Sequence, residues 1–160
     1  MSYATPSTLT GNGAYTGMDP GGTYSSSPSA FNVQSQMTIE ADVPKTYDCS
    51  DHFFVLSSDP AYRPWNWGTQ SSVVKVAWDC NNLCIYAPSS YKCSSSRSTL
   101  TTYKQTIYYT PTNVRVTTDV NSIDISLSAT YWTGNIWLWI GADDDESRGS
   151  NFSNVKVTYA

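Results

Sequence analysis

A chain of 160 residues is of single-domain length and long enough to bury a proper core. Its composition is 39% hydrophobic and 14% aromatic, with six Trp, twelve Tyr and only 14% charged residues; this is an all-β profile, without the spacing of a long amphipathic helix. The net charge of -4 and nine scattered Lys and Arg argue against nucleic acid as a principal partner, and no apolar run is long enough to span a bilayer.

Residues 1–30 are rich in Gly, Ser, Thr, Pro and Tyr and read as an irregular N-terminal arm with one short strand. The start, MSYATPSTLTGNG, lacks the basic and apolar regions of a signal peptide, so an excised domain or a virion-type protein is expected. Residues 31–160 read as a β-sandwich domain. Phe31–Val43 alternates Met37, Ile39, Ala41 and Val43 with Thr38, Glu40 and Asp42, the pattern of one half-buried strand.

His52–Ser57 is a short strand apolar on both sides. Asp59–Gly68 is a loop stiffened by two Pro and carrying Tyr62, Arg63, Trp65, Asn66 and Trp67. Val74, Val76 and Trp78 alternate with Lys75, Ala77 and Asp79; Asp79–Asn82 turns and Leu83–Tyr86 returns, which predicts a hairpin. Ala87–Thr102 reads as a polar loop. Strands follow at Tyr103–Tyr109, Val114–Thr117 and Ile123–Leu127, and Phe152–Tyr159 closes the chain with Val155, Val157 and Tyr159 on one face.

Within Asn135–Asp145, Ile136, Leu138 and Ile140 alternate with Trp137 and Trp139. A strand apolar on both faces belongs in the middle of its sheet. It breaks at Gly141-Ala142 into Asp143, Asp144, Asp145 and Glu146. About nine short strands at this spacing predict an antiparallel sandwich or jelly roll.

Cys49, Cys80, Cys84 and Cys93 allow three pairings. Cys49 is remote from the others and His52 is the single His, so a zinc site fits poorly. One or two disulfides in an extracellular setting, or free buried thiols, remain open.

The strings MTIEADV, VRVTTDVNSIDISLSA and WIGADDDES…FSNVKVTY resemble the concanavalin A-like jelly-roll superfamily, which includes laminin-G-like and legume-lectin-like domains. HFFVLSS, WNWG, VKVAWDCNNLCIY and WIGADDD are also similar to repeat domains of surface glycoproteins of large algal DNA viruses. These resemblances imply two packed antiparallel sheets, carbohydrate recognition, an extracellular or virion-surface location and neighbouring domains in a larger protein.

Glucanases of that superfamily carry catalytic carboxylates two and four residues apart on one strand face. Glu40-Ala41-Asp42 is the nearest string here; it lacks the third carboxylate and lies in an early strand, so a solvated face is expected. His52, beside Asp51 and two Phe, reads as structural, and no nucleophile elbow or phosphate loop is present. No enzyme is expected.

Sugars stack their C–H faces on flat rings and bind their hydroxyls to Asp, Asn and Arg. Trp65 and Trp67, with Tyr62, Arg63 and Asn66 beside them, and the pair Trp137 and Trp139 are the candidate ligand-binding residues. The plain alternative is burial, since large aromatics dominate cores, and it weighs more for Trp137 and Trp139. Asp143, Asp144 and Asp145 could hold Ca²⁺, which takes six to eight oxygens, or form a solvated turn. Asn151-Phe152-Ser153 matches a glycosylation sequon. The sequence reads as a non-catalytic, lectin-like domain whose partner is a glycan or glycoprotein surface, with a virion assembly module as the alternative.

Overall fold

The computed structural model describes residues 2–4, 8–10, 13–14, 23–26, 30–44, 52–61, 72–79, 81–95, 101–142 and 151–160. Fifteen strands and no helix occur among them: β1 (Ser2–Ala4), β2 (Thr8–Thr10), β3 (Gly13–Ala14), β4 (Thr23–Ser26), β5 (Phe31–Val33), β6 (Met37–Pro44), β7 (His52–Ser57), β8 (Val73–Asp79), β9 (Asn82–Tyr86), β10 (Tyr91–Cys93), β11 (Thr102–Thr110), β12 (Asn113–Thr118), β13 (Asp124–Ser128), β14 (Gly134–Ala142) and β15 (Asn151–Tyr159).

They form two antiparallel sheets. One runs β1-β15-β6-β11-β12-β13, with β2 also pairing β15; the other runs β10-β9-β8-β7-β14-β4-β3, with β5 also pairing β14. The core lies between the sheets and follows from side-chain alternation. Met37, Ile39, Ala41 and Val43 of β6, Ile107 of β11, Val114 and Val116 of β12, and Val155 and Val157 of β15 are buried from the seven-stranded side. Phe54, Leu56, Val74, Val76, Trp78, Leu83 and Ile85 meet them from the eight-stranded side. Ile136, Leu138 and Ile140 of β14 join them; burying each such side chain contributes about 1.5–3 kcal/mol. β14 is interior to its sheet, between β7 and β4. The all-β sandwich expected from the sequence is the fold.

Three local expectations differ from the structure. Phe31–Val43 is two strands in different sheets: β5 pairs β14, whereas β6 pairs β11 and β15. Polar Gln34, Ser35 and Gln36 make the corner, where the backbone amides of Gln34 and Ser35 donate to the Ala160 carbonyl at 3.0 and 2.8 Å. The polar stretch after Ala87 contains β10, whose three residues are too few to show an alternation. Among the described residues, 1–30 hold four short strands that join both sheets, because backbone pairing of two to four residues needs no apolar pattern.

Two turns rest on backbone chemistry. Asn121 and Ser122 take positive φ between β12 and β13, and Thr118 Oγ1 stitches that turn by donating to the Val120 carbonyl at 2.7 Å. Gly134 starts β14 at φ +96°, a conformation that glycine adopts without a Cβ penalty.

Candidate functional site on the outer face of the eight-stranded sheet

The side of this sheet that faces away from the core is the notable surface. Alternation sends Phe53 and Val55 of β7, Val73, Lys75 and Ala77 of β8, Cys84 and Tyr86 of β9, and Trp137 and Trp139 of β14 to it. Register then aligns one row across five strands. Trp139 pairs Val55, Val55 pairs Lys75, Lys75 pairs Tyr86, and Tyr86 pairs Tyr91. Four inter-strand spacings make this row roughly 19 Å long.

The row grades from buried to open. Trp139 is 8% exposed and packs with Phe53, Val55, Val73 and Ala77 in a second apolar cluster, separate from the main core. Lys75 is only 5% exposed, and its ammonium lies 5.3 Å from the Phe53 ring centroid, a cation–π distance. At the sheet edge the row opens. Tyr91 is 66% exposed and stacks on Tyr86, with centroids 5.8 Å apart and planes inclined by 28°. One face of the Tyr91 ring therefore rests on protein while its other side is open to a ligand.

The next row explains why this edge holds its shape. Cys84 and Cys93 sit directly opposite each other in β9 and β10 and are joined by a disulfide. It ties a three-residue edge strand to the sheet two residues from the Tyr86–Tyr91 pair. The Ser94 amide also donates to the Leu83 carbonyl at 2.8 Å, so both chemistries fix β10.

Trp137 is half-buried on this outer face and Trp139 lies beneath its surface. Tyr62, Arg63, Trp65, Asn66 and Trp67, and Asp143, Asp144 and Asp145, lie outside the described residues, as do Cys49 and Cys80. Tyr86 and Tyr91 were not singled out from the sequence. Their only signal there is that they flank the Ala-Pro-Ser-Ser turn at residues 87–90, and the pairing itself requires the register. Among the described residues, outward Asp79 is the one carboxylate on strands β7 to β10 of this face, so no carboxylate pair stands there.

Oxygen chemistry gathers at one end of the same sheet. Asn81 Oδ1 and Asn82 Oδ1, on the β8–β9 turn beside Asp79, are buried with no hydrogen-bond partner among the described residues. Orphaned buried carbonyl oxygens are uncommon and costly. Among the described residues no group of three or more His, Cys, Asp or Glu clusters as a metal site.

No protein-family model matches the chain, and no curated protein matches it. Solved structures do. The exoplasmic/lumenal domain of VIP36, in its Ca²⁺/Man3GlcNAc-bound form, superposes with a TM-score of 0.61 at 10% identity, over 99% of this chain and 84% of that one. The potassium-bound carbohydrate recognition domain of Emp46p gives 0.61 at 11%, over 95% and 81%. A legume lectin-like domain from Entamoeba histolytica gives 0.59 at 12%, over 89% and 82%. Enzymes share the architecture: a Bacillus licheniformis β-glucanase gives 0.54 at 8%, over 86% and 71%. At such identities the likeness concerns the fold alone: this chain is an antiparallel β-sandwich of the architecture that these lectin domains and the glucanase share.

Proposed function

We propose that this chain is a non-catalytic glycan-recognition domain that binds on the outer face of its eight-stranded sheet. The observation that carries the reading is the exposed Tyr91 ring, backed by Tyr86 and pinned by the Cys84–Cys93 disulfide. A rigid aromatic at a sheet edge presents the flat apolar surface on which a pyranose C–H face stacks, at little ordering cost. Trp137, half-buried on β14 four strands away, is proposed as a separate contact on the same face. Trp65 and Trp67, with Tyr62, Arg63 and Asn66, are proposed as the loop side of the same site, and Trp139 as its support. A sugar-bound neighbour of the same architecture supports the reading by analogy.

Ca²⁺ is proposed as a structural partner of the site. β14 ends at Ala142, which pairs His52, and Phe53 pairs Ala77, so the step into Asp143–Asp145 occurs at the Asp79 end of the sheet. The two orphaned Asn oxygens stand on the turn at that end, and uncharged amide oxygens together with carboxylates are a calcium donor set. The disulfide supports an extracellular or lumenal setting. Residues 1–30 are proposed as an arm that adds its short strands to a sandwich domain at residues 31–160.

A glycan array probed with the whole chain, in Ca²⁺ and in chelator, tests this. Selective binding that falls about tenfold in Tyr91→Ala supports the reading, since tenfold is about 1.4 kcal/mol, the scale of one lost aromatic contact. Binding to no glycan in either condition would turn the reading toward the alternative, an assembly module of a virion or cell surface.

A further inference from the structure

The opposite face of the sandwich carries a second candidate site. On the outer side of the seven-stranded sheet, Glu40 and Asp42 of β6 lie between two strands that bear cations. Lys104 and Thr106 of β11 pair Asp42 and Glu40 on one side, and Lys156 of β15 pairs Glu40 on the other. These side chains, with Asn154, line a cavity of about 270 Å³. That is just under the roughly 300–1,000 Å³ typical of small-molecule sites, and so suits a small ligand.

The groove is built by an irregularity. The pairing of β15 with β6 slips between Ser153 and Lys156, a β-bulge, and Asn154 within it takes φ +53°. Bulges re-aim a side chain, and Asn is the residue that tolerates this backbone. The Asn154 amide consequently donates to Asp42 Oδ2 at 2.6 Å. Among the described residues, neither Lys104 nor Lys156 forms an ion pair, although each sits opposite a carboxylate. The groove therefore offers carboxylate acceptors and ammonium donors side by side, with one Asp42 oxygen already held by Asn154. Two residues beyond Thr106 on the same face, Tyr108 is 41% exposed, with the Arg115 guanidinium 5.7 Å from its ring centroid.

Adjacent donors and acceptors of this kind suit a polyol better than an ion. Each hydroxyl can donate to a carboxylate while accepting from an ammonium or amide, and a charge-assisted bond is about twice as strong as a neutral one. The balanced charge of two carboxylates and two lysines disfavours a net anion or cation. The exposed ring of Tyr108, outside the lining but two residues from Thr106, adds an apolar neighbour for C–H contact. We propose that this groove is a second, independent binding site for one uncharged saccharide unit, making the domain two-faced. The inference goes beyond the eight-stranded face and does not depend on it.

The test is amide-shift mapping of the ¹⁵N-labelled chain with methyl glycosides of glucose, galactose, mannose and N-acetylglucosamine, and separately with inorganic phosphate. The expected result is that at least one glycoside moves the amides of Lys104, Thr106, Asn154 and Lys156, and that Glu40→Gln weakens this about tenfold while leaving amides elsewhere in place. Lys104→Met provides a second variant should Glu40→Gln perturb the fold. Tyr91→Ala is expected to leave the groove response intact, which separates failure here from failure of the first site. The proposal is overturned if no glycoside moves these amides, if phosphate alone does, or if both groove variants respond as the parent chain does.

Discussion

The indole Nε1 of Trp78 donates to the hydroxyl of Tyr103 at 2.7 Å, joining the two sheets through the middle of the core. The rings meet edge-to-face with centroids 6.0 Å apart, and the Tyr103 hydroxyl passes the chain on to buried Gln105 Oε1 at 3.4 Å. Three polar groups are satisfied in an interior that would otherwise penalise each of them. Tyr103→Phe removes the middle link and the hydroxyl that the Trp78 N–H donates to, at a cost of about 1–3 kcal/mol. For a domain of this size the melting temperature should fall by roughly 2–4 °C per kcal/mol. In the double variant with Trp78→Phe the losses should be less than additive, because both substitutions remove the same bond. Strictly additive losses would show that the bond does not couple the sheets.

The same hydroxyl sets an alkaline limit. Burial pushes the Tyr103 phenol above its ordinary range, against the smaller opposing effect of the Trp78 hydrogen bond. Burial also raises Tyr109, whose hydroxyl donates to the Trp132 carbonyl at 2.7 Å. Both phenols thus hold their protons more tightly folded than unfolded. Their contribution is fully present below the unfolded value of about 10 and is lost as pH climbs beyond it, since the unfolded chain then binds fewer protons. Stability measured by urea unfolding should be insensitive to these groups from pH 7 to about 9.5 and decline above about 10. Tyr103→Phe should decline less steeply; an equally steep decline would place the titration elsewhere.

Much of the fold was legible because burial repeats every second residue. Val74, Val76 and Trp78, or Ile136, Leu138 and Ile140, announce a strand and its inward face without reference to any partner. What alternation cannot show is where a strand changes sheets, because Phe31, Val33 and Met37 remain inward on both sides of the corner at Gln34–Gln36. Nor can it show register. Trp139, Val55, Lys75, Tyr86 and Tyr91 come from five segments spanning most of the domain, and only the ladders bring them into line. The Trp pair of β14 was visible as a motif, but its two members differ in depth for reasons that lie in neighbouring strands. Of the remaining site residues expected from the sequence, the Tyr62–Trp67 set and Asp143–Asp145 are outside the described residues.

The edge disulfide links stability to the proposed binding surface. Cys84 and Cys93 are nine positions apart, so their bridge closes a loop for which chain entropy gives about 2–3 kcal/mol. β10 is three residues long and ends its sheet, which leaves few other bonds to retain it. Cys93→Ser with Cys84→Ala should lower stability by about that amount and speed hydrogen exchange at the Lys92 and Ser94 amides, which face β9, relative to β8. Glycan binding should weaken in parallel, since Tyr91 rides on the same strand. Unchanged exchange at β10 would mean that the backbone ladder alone secures it.

Trp137 and Trp139 offer the sharpest separation of scaffold from surface. They point to the same side of β14, two residues apart, yet Trp139 is packed with Phe53, Val55, Val73 and Ala77 while Trp137 is half-buried. Trp139→Ala removes a large ring from a filled cluster and should cost about 3–5 kcal/mol, the usual range for a buried aromatic. Trp137→Ala vacates a partly solvated position and should cost about 1 kcal/mol, near the average for point substitutions. If the outer face recognises glycans, the order reverses for binding. Trp137→Ala should lose affinity with a nearly native melting curve. Trp139→Phe, which keeps the cluster filled, should bind as the parent does. Paired urea titrations and glycan titrations on the two variants decide it. Equal losses of affinity from Trp137→Ala and Trp139→Phe would mean that the cluster, and not its open edge, governs recognition.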